Sequence, residues 1–373
     1  MPKIKFPFPS VLPFQLFQAA MAGGITTPQL VAAVCNAGAI GSYATGYKSA
    51  EQVNNDLDAI EQLTDKPYAV NLFIPQAKTP ENREVVQSYK LALNKYRQAL
   101  HMPEISAEAA LPPTPDDFDN LVPLLLSRAP KIVSFTFGNL QPDIIQAFQK
   151  KGIYLIGTAT SVEEAQILSD SGINAVVAQG IEAGGHRGTF FSVKQNTGTP
   201  TKRLVAQIRS QLPDYPVIAA GGIMTGSDIY EVLEQGAIAV QLGTAFLTTQ
   251  ESGAAQIYKT ALLSHQGLPD DPTVLTNVFT GKYARGLANQ FTKEMHGPIP
   301  EYPLAHALST DLRKESLQQN RTDLASSLWC GQRVRAIREP CSVADFIGQL
   351  CTEYEEVRAG SERKGMNRLH ARF

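Results

Sequence analysis

Residues 179–188 read QGIEAGGHRG and directly follow the apolar run INAVVA. Glycine lets backbone approach a ligand closely and reaches φ values closed to other residues. Histidine titrates near neutrality and can move a proton. The stretch therefore offers His186 as a proton-transfer group in a loop built for close approach. Beside it, Glu182 is expected to make a local structural bond, and Arg187 to be ion-paired or solvated, or to steer an anion. A second signal is a pair of turns, AAGGI (219–223) and QLGTAF (241–246). Gly222, Gly243 and the Thr244 hydroxyl there suit a phosphate group, with backbone N–H groups turned toward its oxygens. A third is Asn71 and Gln179, neutral amides inside apolar strands. Buried amides need partners. A heteroaromatic ring of mixed donors and acceptors would supply them, as would each other or a water. Met21 and Ala22 could pack against the face of such a ring.

These residues need elements to position them. Eight short apolar runs recur: 14–21, 39–44, 68–74, 132–138, 154–160, 175–181, 217–223 and 239–247. Amphipathic stretches separate them, clearest at TPQLVAAVCNAG, SAEQVNNDLDAI, PDIIQAFQKKG, SVEEAQILSDSG and GSDIYEVLEQG. Several open on a Ser or Thr cap and close at Gly. Continuous apolar strands alternating with helices imply a parallel sheet covered on both faces. Eight such units imply closure into a (β/α)₈ barrel of α/β class. An open doubly wound sheet is the alternative, but AMAGG after the first run is not GxGxxG and no acidic residue closes the second. In a barrel the site lies at the C-terminal ends of the strands, where His186 and the glycine turns fall.

The barrel is expected over residues 1–335, with an insertion after strand three at 75–130 and a C-terminal helical extension and basic tail at 336–373. The insertion holds a helical piece around NREVVQSYKLALNKYRQAL and then the loop AEAALPPTPDDF, and reads as a lid or a structural extension. The tail GSERKGMNRLHARF reads as a solvated, frayed end.

The chain has 373 residues, 43% of them hydrophobic and 18% charged, with a formal net charge of −2. A large core is available, and no basic block favours nucleic acid or an anionic membrane surface. Cys35, Cys330, Cys341 and Cys351 lack the short spacings of a metal site and read as free thiols. No stretch is long and apolar enough to span a bilayer. The N-terminal segment is broken by prolines and glutamines and reads as a first strand rather than a signal peptide. A cytoplasmic protein, monomeric or homodimeric, is expected.

Taken together, the motifs resemble those of the nitronate monooxygenases. QGIEAGGHRG is similar to that family's AQGxEAGGH signature, and QAAMAGGITTPQLVAAVCNAGAIG resembles the opening motif of its class I branch. AAGGI, QLGTAF and FTGKYARGLANQF are similar to further family segments. Ile25 stands where the family often has proline, and the 75–130 segment and the tail diverge. The resemblance implies an FMN-dependent (β/α)₈ enzyme. Its FMN would be bound by Asn71, Gln179, Gly184, Gly222 and the run Gln241, Leu242, Gly243 and Thr244, and His186 would be catalytic. The implied reaction is oxidative denitrification of alkyl nitronates by O₂ to a carbonyl compound and nitrite, with propionate 3-nitronate as substrate. The substrate's carboxylate could meet Lys282 or Arg285. An NAD(P)H-dependent flavin reductase on the same scaffold, for quinones or enoyl-acyl-carrier-protein, shares the EAGGH loop. The AMAGG opening favours the monooxygenase. A non-catalytic flavin-binding domain would not need a histidine over the ring.

Overall fold

The computed structural model describes residues 6–8, 10–75, 82–112, 117–190 and 198–370, with no side chains described from 364 onward. Its frame is eight parallel strands: β1 (Leu16–Gln18), β2 (Ser42–Ala44), β3 (Ala69–Phe73), β4 (Ile132–Thr136), β5 (Tyr154–Ala159), β6 (Ala175–Gln179), β8 (Val217–Ala220) and β9 (Ala239–Leu242). Each lies within one of the eight apolar runs. The sheet order is β1-β9-β8-β6-β5-β4-β3-β2. Hydrogen bonds from Gln18 N to Ile40 O (2.9 Å) and from Ile40 N to Leu16 O (2.8 Å) close it next to β2. The result is a (β/α)₈ barrel.

Local sequence explains the spacing. Helix α1 (Pro28–Asn36) starts at a Thr27 cap with proline in its first turn, where the missing N–H is harmless. Ser49 forms a capping box on α2 (Ala50–Leu63), Ser161 caps α6 (Val162–Asp170) and Thr225 forms a capping box on α8 (Gly226–Glu234). Phe17, Ile132, Ile156, Val177 and Ile218 fill the barrel interior. The Phe6 ring meets Phe17 edge-on at 5.3 Å and plugs the lower end.

The two irregular regions meet each other. Within the insertion, α4 (Phe118–Arg128) packs on α2 as the ordinary barrel helix before β4. Helix α3 (Arg83–Ala99) instead packs on α11 (Leu304–Gln318). Val86, Tyr89, Leu93 and Tyr96 join Phe279, Phe291, Leu308 and Leu312 in a second hydrophobic core. Among the other helices, α5 (Pro142–Lys150) and α7 (Thr201–Gln211) belong to the barrel wall. Helices α9 (Gln256–Leu263) and α10 (Gln290–Glu294) follow it in sequence. A three-stranded antiparallel sheet joins β7 (Gly185–His186), β11 (Ala284–Leu287) and β10 (Thr273–Thr276). It accounts for the KYARG segment and turns the histidine loop into a strand.

The C-terminal helix α12 (Val343–His370) carries the tail's backbone in helical form to His370; the tail's side chains from 364 and its last three residues lie outside the described part. Val343, Phe346, Ile347 and Leu350 are buried in the main core, and the helix packs on α8 and α1. Phe346 is 1% exposed and sits edge-on to Phe246 at 5.0 Å. Phe346→Ala is therefore expected to lower unfolding free energy by about 3–5 kcal/mol in urea titrations. A loss below about 1 kcal/mol would mean that the helix is not integral to the barrel's stability.

Candidate active site

The upper mouth of the barrel opens into a cavity of about 1150 Å³, somewhat above the range of about 300–1,000 Å³ common for small-molecule sites. Asn71, Gln179, Gly184, His186, Gly222, Gln241, Gly243 and Thr244 all line it. Leu242 does not: its side chain is 1% exposed and belongs to the core between strands and helices. Met21 and Ala22 are also in the wall.

His186 is held from three directions. Its backbone pairs with Ala284 of β11. Arg187 N, the next donor, bonds Tyr283 O at 2.8 Å. From below, Gln179 Nε2 donates to His186 O (3.0 Å), and Gln179 Oε1 accepts from Gly188 N (2.8 Å). The Gln179 amide is thus committed to the loop at both ends. Its first task is to position the histidine, and no ring is needed to satisfy it. Asn71 Nδ2 likewise has a protein partner, Ser134 Oγ at 3.0 Å. The rings of Trp329, Phe137 and Tyr302 surround the imidazole at 5.7, 5.8 and 6.3 Å.

Burial, reinforced by the positive charges of Lys282 and Arg313, pushes the His186 pKa down to about 3. The ring is therefore a neutral imidazole at physiological pH. Its tautomer follows from its neighbour. His186 Nε2 lies 2.9 Å from Thr280 Oγ1, and that hydroxyl donates its single proton to Lys282 O at 3.0 Å. Nε2 must then be the donor, which leaves the Nδ1 lone pair free. Among the described residues Nδ1 has no hydrogen-bond partner, and His186 lines the cavity.

The loop's two charged residues are structural. Glu182 accepts from Thr201 N (3.0 Å) and Thr201 Oγ1 (2.8 Å), capping α7 as the local bond expected of it. Arg187 is buried rather than solvated and has no ion pair among the described residues; its Nη1 donates to the carbonyls of Gln179 (3.2 Å) and Gly180 (2.5 Å). Gly184 is required by close approach, because a Cβ there would collide with the backbone of Cys330 and Gly331.

The turns after β8 and β9 form a cradle. Gly222 has φ +69°, and Gly243 precedes a 3₁₀ turn over Thr244–Phe246. Among the described residues, the N–H groups of Gly222, Gly243 and Thr244 make no hydrogen bond. Thr244 Oγ1 accepts from Gly331 N at 2.9 Å, so its own proton can still be donated. The α8 N-terminus itself is not available: Asp228 accepts there from Met224 N and Thr225 N, both at 3.0 Å, and pairs with Arg333 at 2.7 Å. Three unused amides, one hydroxyl and a nearby guanidinium fit a phosphate group.

Neither cation expected to meet a substrate carboxylate is in the cavity wall. Arg285 donates from Nε to Ile181 O and from Nη1 to Thr273 Oγ1, both at 3.1 Å. Lys282 lies over the Phe137 ring, 4.6 Å from its centroid, with a pKa lowered by burial to about 8. Arg313 lines the cavity instead, with His306, Tyr47 and Phe137. Tyr47 and Phe137 adopt left-handed φ of 70° and 78°. Such strain at bulky side chains gathers at functional sites. Among the described residues no group of His, Cys, Asp and Glu could hold a metal ion, and no helix is long and apolar enough to cross a membrane.

Comparison with known proteins gives a consistent result. The family model for nitronate monooxygenase matches residues 11–353. A probable nitronate monooxygenase of Staphylococcus saprophyticus is 40% identical over 333 residues, covering 87% of this chain and 90% of that protein. One from Staphylococcus aureus is 37% identical over 344 residues, covering 90% and 94%. The crystal structure of nitroalkane oxidase from Streptomyces ansochromogenes superposes with a TM-score of 0.85 at 37% identity, covering 94% of this chain and 98% of that one. FabK from Thermotoga maritima shares the fold, with a TM-score of 0.70 at 23% identity over 95% and 96% of the two chains. The chain belongs to the nitronate monooxygenase family.

Proposed function

We propose that the protein is an FMN-dependent enzyme that oxidises alkyl nitronates with O₂, giving a carbonyl compound and nitrite. The observation that carries this reading is a neutral imidazole with a free Nδ1 in the wall of a cavity that also presents the unused N–H groups of Gly222, Gly243 and Thr244. Gly222, Gly243 and Thr244 would hold the FMN phosphate. Asn71, Gln179, Gly184 and Gln241 would border the ring system, with Met21 against it; Leu242 would contribute backbone only. When bound, the flavin supplies the redox chemistry, taking electrons from the nitronate and passing them to oxygen. The protein's part is binding, orientation and proton handling. His186 Nδ1 can accept the α-proton of a neutral nitroalkane and so deliver the nitronate in place. The Nε2–H bond to Thr280 keeps the ring in that tautomer. Phe137, Tyr302 and Trp329 keep water from the reacting carbon. Propionate 3-nitronate is the substrate we favour.

The decisive experiment is anaerobic. The flavin-loaded protein is mixed separately with propionate 3-nitronate and with NADH or NADPH while the visible spectrum is recorded. Bleaching by the nitronate alone, with nitrite release on admitting air, is expected. Bleaching by a nicotinamide with no response to nitronate would sink the proposal in favour of a flavin reductase. His186→Asn should retain the yellow cofactor and lose about 10²–10⁴-fold in turnover of nitroalkanes.

The cradle has a separate test. Gly243 has φ −113°, and a Cβ there would make only an ordinary 3.5 Å contact with Ala19, so Gly243→Asp should fold. Its carboxylate would face the phosphate, and like charges in contact cost several kcal/mol. FMN affinity is expected to fall at least about a hundredfold, read as flavin absorbance per protein with circular dichroism as the folding control. Full retention of FMN would remove the phosphate assignment.

The depressed His186 pKa also fixes a pH dependence. The base form persists down to about pH 3, so kcat/KM for a nitroalkane should show no histidine limb near the usual 6.5. Because the folded value lies below the unfolded one, His186 favours folding fully above about pH 6.5 and loses that contribution as pH falls toward 3. An activity limb near 6.5 that disappears in His186→Asn would refute the neutral, buried imidazole.

A further inference from the structure

The cavity wall holds a second neutral histidine. His306, on α11, is 6% exposed and lines the cavity. Burial, reinforced by the charges of Arg313, His186 and Lys314, lowers its pKa to about 2, so the ring is uncharged at physiological pH. Its tautomer is fixed by a neighbour. Arg313 Nη2 lies 3.2 Å from His306 Nδ1. A guanidinium can only donate, so Nδ1 accepts and the ring's single proton sits on Nε2. The ring plane is held as well: it stacks on Tyr47, with centroids 4.1 Å apart and 12° between the planes. Among the described residues Nε2 has no hydrogen-bond partner, and the surrounding protein does not seal it off. The Nε2–H is therefore a spare donor, oriented in advance and open to the cavity. An N–H withdrawn from bulk water favours any acceptor that reaches it.

Its place decides which acceptor. Tyr302 touches both histidines, 6.3 Å from His186 and 6.2 Å from His306. Tyr47, under His306, is in the loop after β2, apart from the turns after β8 and β9 that form the phosphate cradle. One aromatic corner of the cavity thus presents an imidazole acceptor, His186 Nδ1, and an imidazole donor, His306 Nε2. We infer that His306 is a second catalytic residue, whose Nε2–H donates to a nitro oxygen while His186 Nδ1 takes the proton from the adjacent carbon. This rests on the nitronate reading of the site. In that step the C–H bond breaks and its proton goes to His186. The bonding pair becomes the C=N bond, and an N=O pair moves out onto oxygen, beside the His306 donor. Charge therefore develops at the oxygen and not at the carbon. A preorganised neutral donor bonds that oxygen more strongly as the charge grows, which lowers the barrier.

Two substitutions separate this role from a structural one. His306→Phe keeps a ring on Tyr47 but has no donor. His306→Gln cannot stack, but its amide N–H can reach the place of Nε2. Each is loaded with flavin, with flavin absorbance and circular dichroism as controls, and assayed with neutral nitroethane. His306→Phe should lose about a hundredfold in kcat/KM, and His306→Gln should recover at least about tenfold of that loss. A merely structural ring would give the opposite order, with phenylalanine tolerated and glutamine impaired. Nitrite, which carries the same O–N–O unit, supplies a readout without turnover. Titrated into the oxidised flavoprotein, it should perturb the visible spectrum of wild type and His306→Gln and bind His306→Phe at least about tenfold more weakly. Equal rates in the three proteins, a phenylalanine variant faster than the glutamine one, or nitrite binding that is absent in wild type or indifferent to residue 306 overturns the inference. If wild type turns over neither nitroethane nor its nitronate, the proposed function fails, while the nitrite titration still decides whether His306 is an oxygen-binding donor.

Discussion

The site depends on the grip that holds one two-residue strand. Gly185 and His186 have no helix or barrel strand of their own. They stay in place because Gln179 bonds the backbone at His186 O and Gly188 N, on both sides of Arg187, and because β11 zips along the other edge. Buried amides of this kind raise the cost of any alternative loop conformation, since moving the loop would orphan several polar groups at once. Arg187 adds to the same constraint by gathering the carbonyls at the end of β6. The imidazole can consequently be kept neutral and singly oriented without a carboxylate partner.

The second core supplies the other half of the architecture. Eight strands make a floor, but a floor alone leaves the mouth open to water. Helices α3 and α11 meet through Val86, Tyr89, Leu93, Leu308 and Leu312 and carry a roof over it. Tyr89 Oη bonds Val278 O at 2.7 Å and fastens that roof to the segment leading into Thr280. The same segment fixes the histidine's tautomer, so roof and imidazole are mechanically joined.

Much of this was legible in the sequence, and the rest was not for identifiable reasons. The barrel strands could be read because each is a continuous apolar run, buried on both faces. Ser49, Ser161 and Thr225 marked helix starts because capping is a local rule of residue type and spacing. The glycine turns and His186 could be read because close approach demands glycine and strand ends define the mouth. The aromatic wall could not. Tyr47 and Phe137 point inward only because their backbones take a left-handed conformation that their residue types disfavour. Arg313 sits on a helix near Lys314, Asp311 and Glu315, where an arginine looks like any solvated surface charge. Lys282 and Arg285 had the better motif context, yet strand alternation and the Phe137 ring direct them away from the cavity. Leu242 faces the helices because neighbours in a strand alternate.

The close passage of Gly184 beside Cys330 and Gly331 has a temporal meaning. The last barrel strand is complete at Leu242, but the cavity wall continues to Trp329, Gly331 and Arg333, and Thr244 receives its amide partner only from Gly331. A ribosome extruding this chain delivers the whole barrel well before the residues that enclose its mouth. For some ninety residues of synthesis the nascent chain therefore holds every barrel strand without the residues that close the mouth, and competence waits for the final stretch beside the histidine loop.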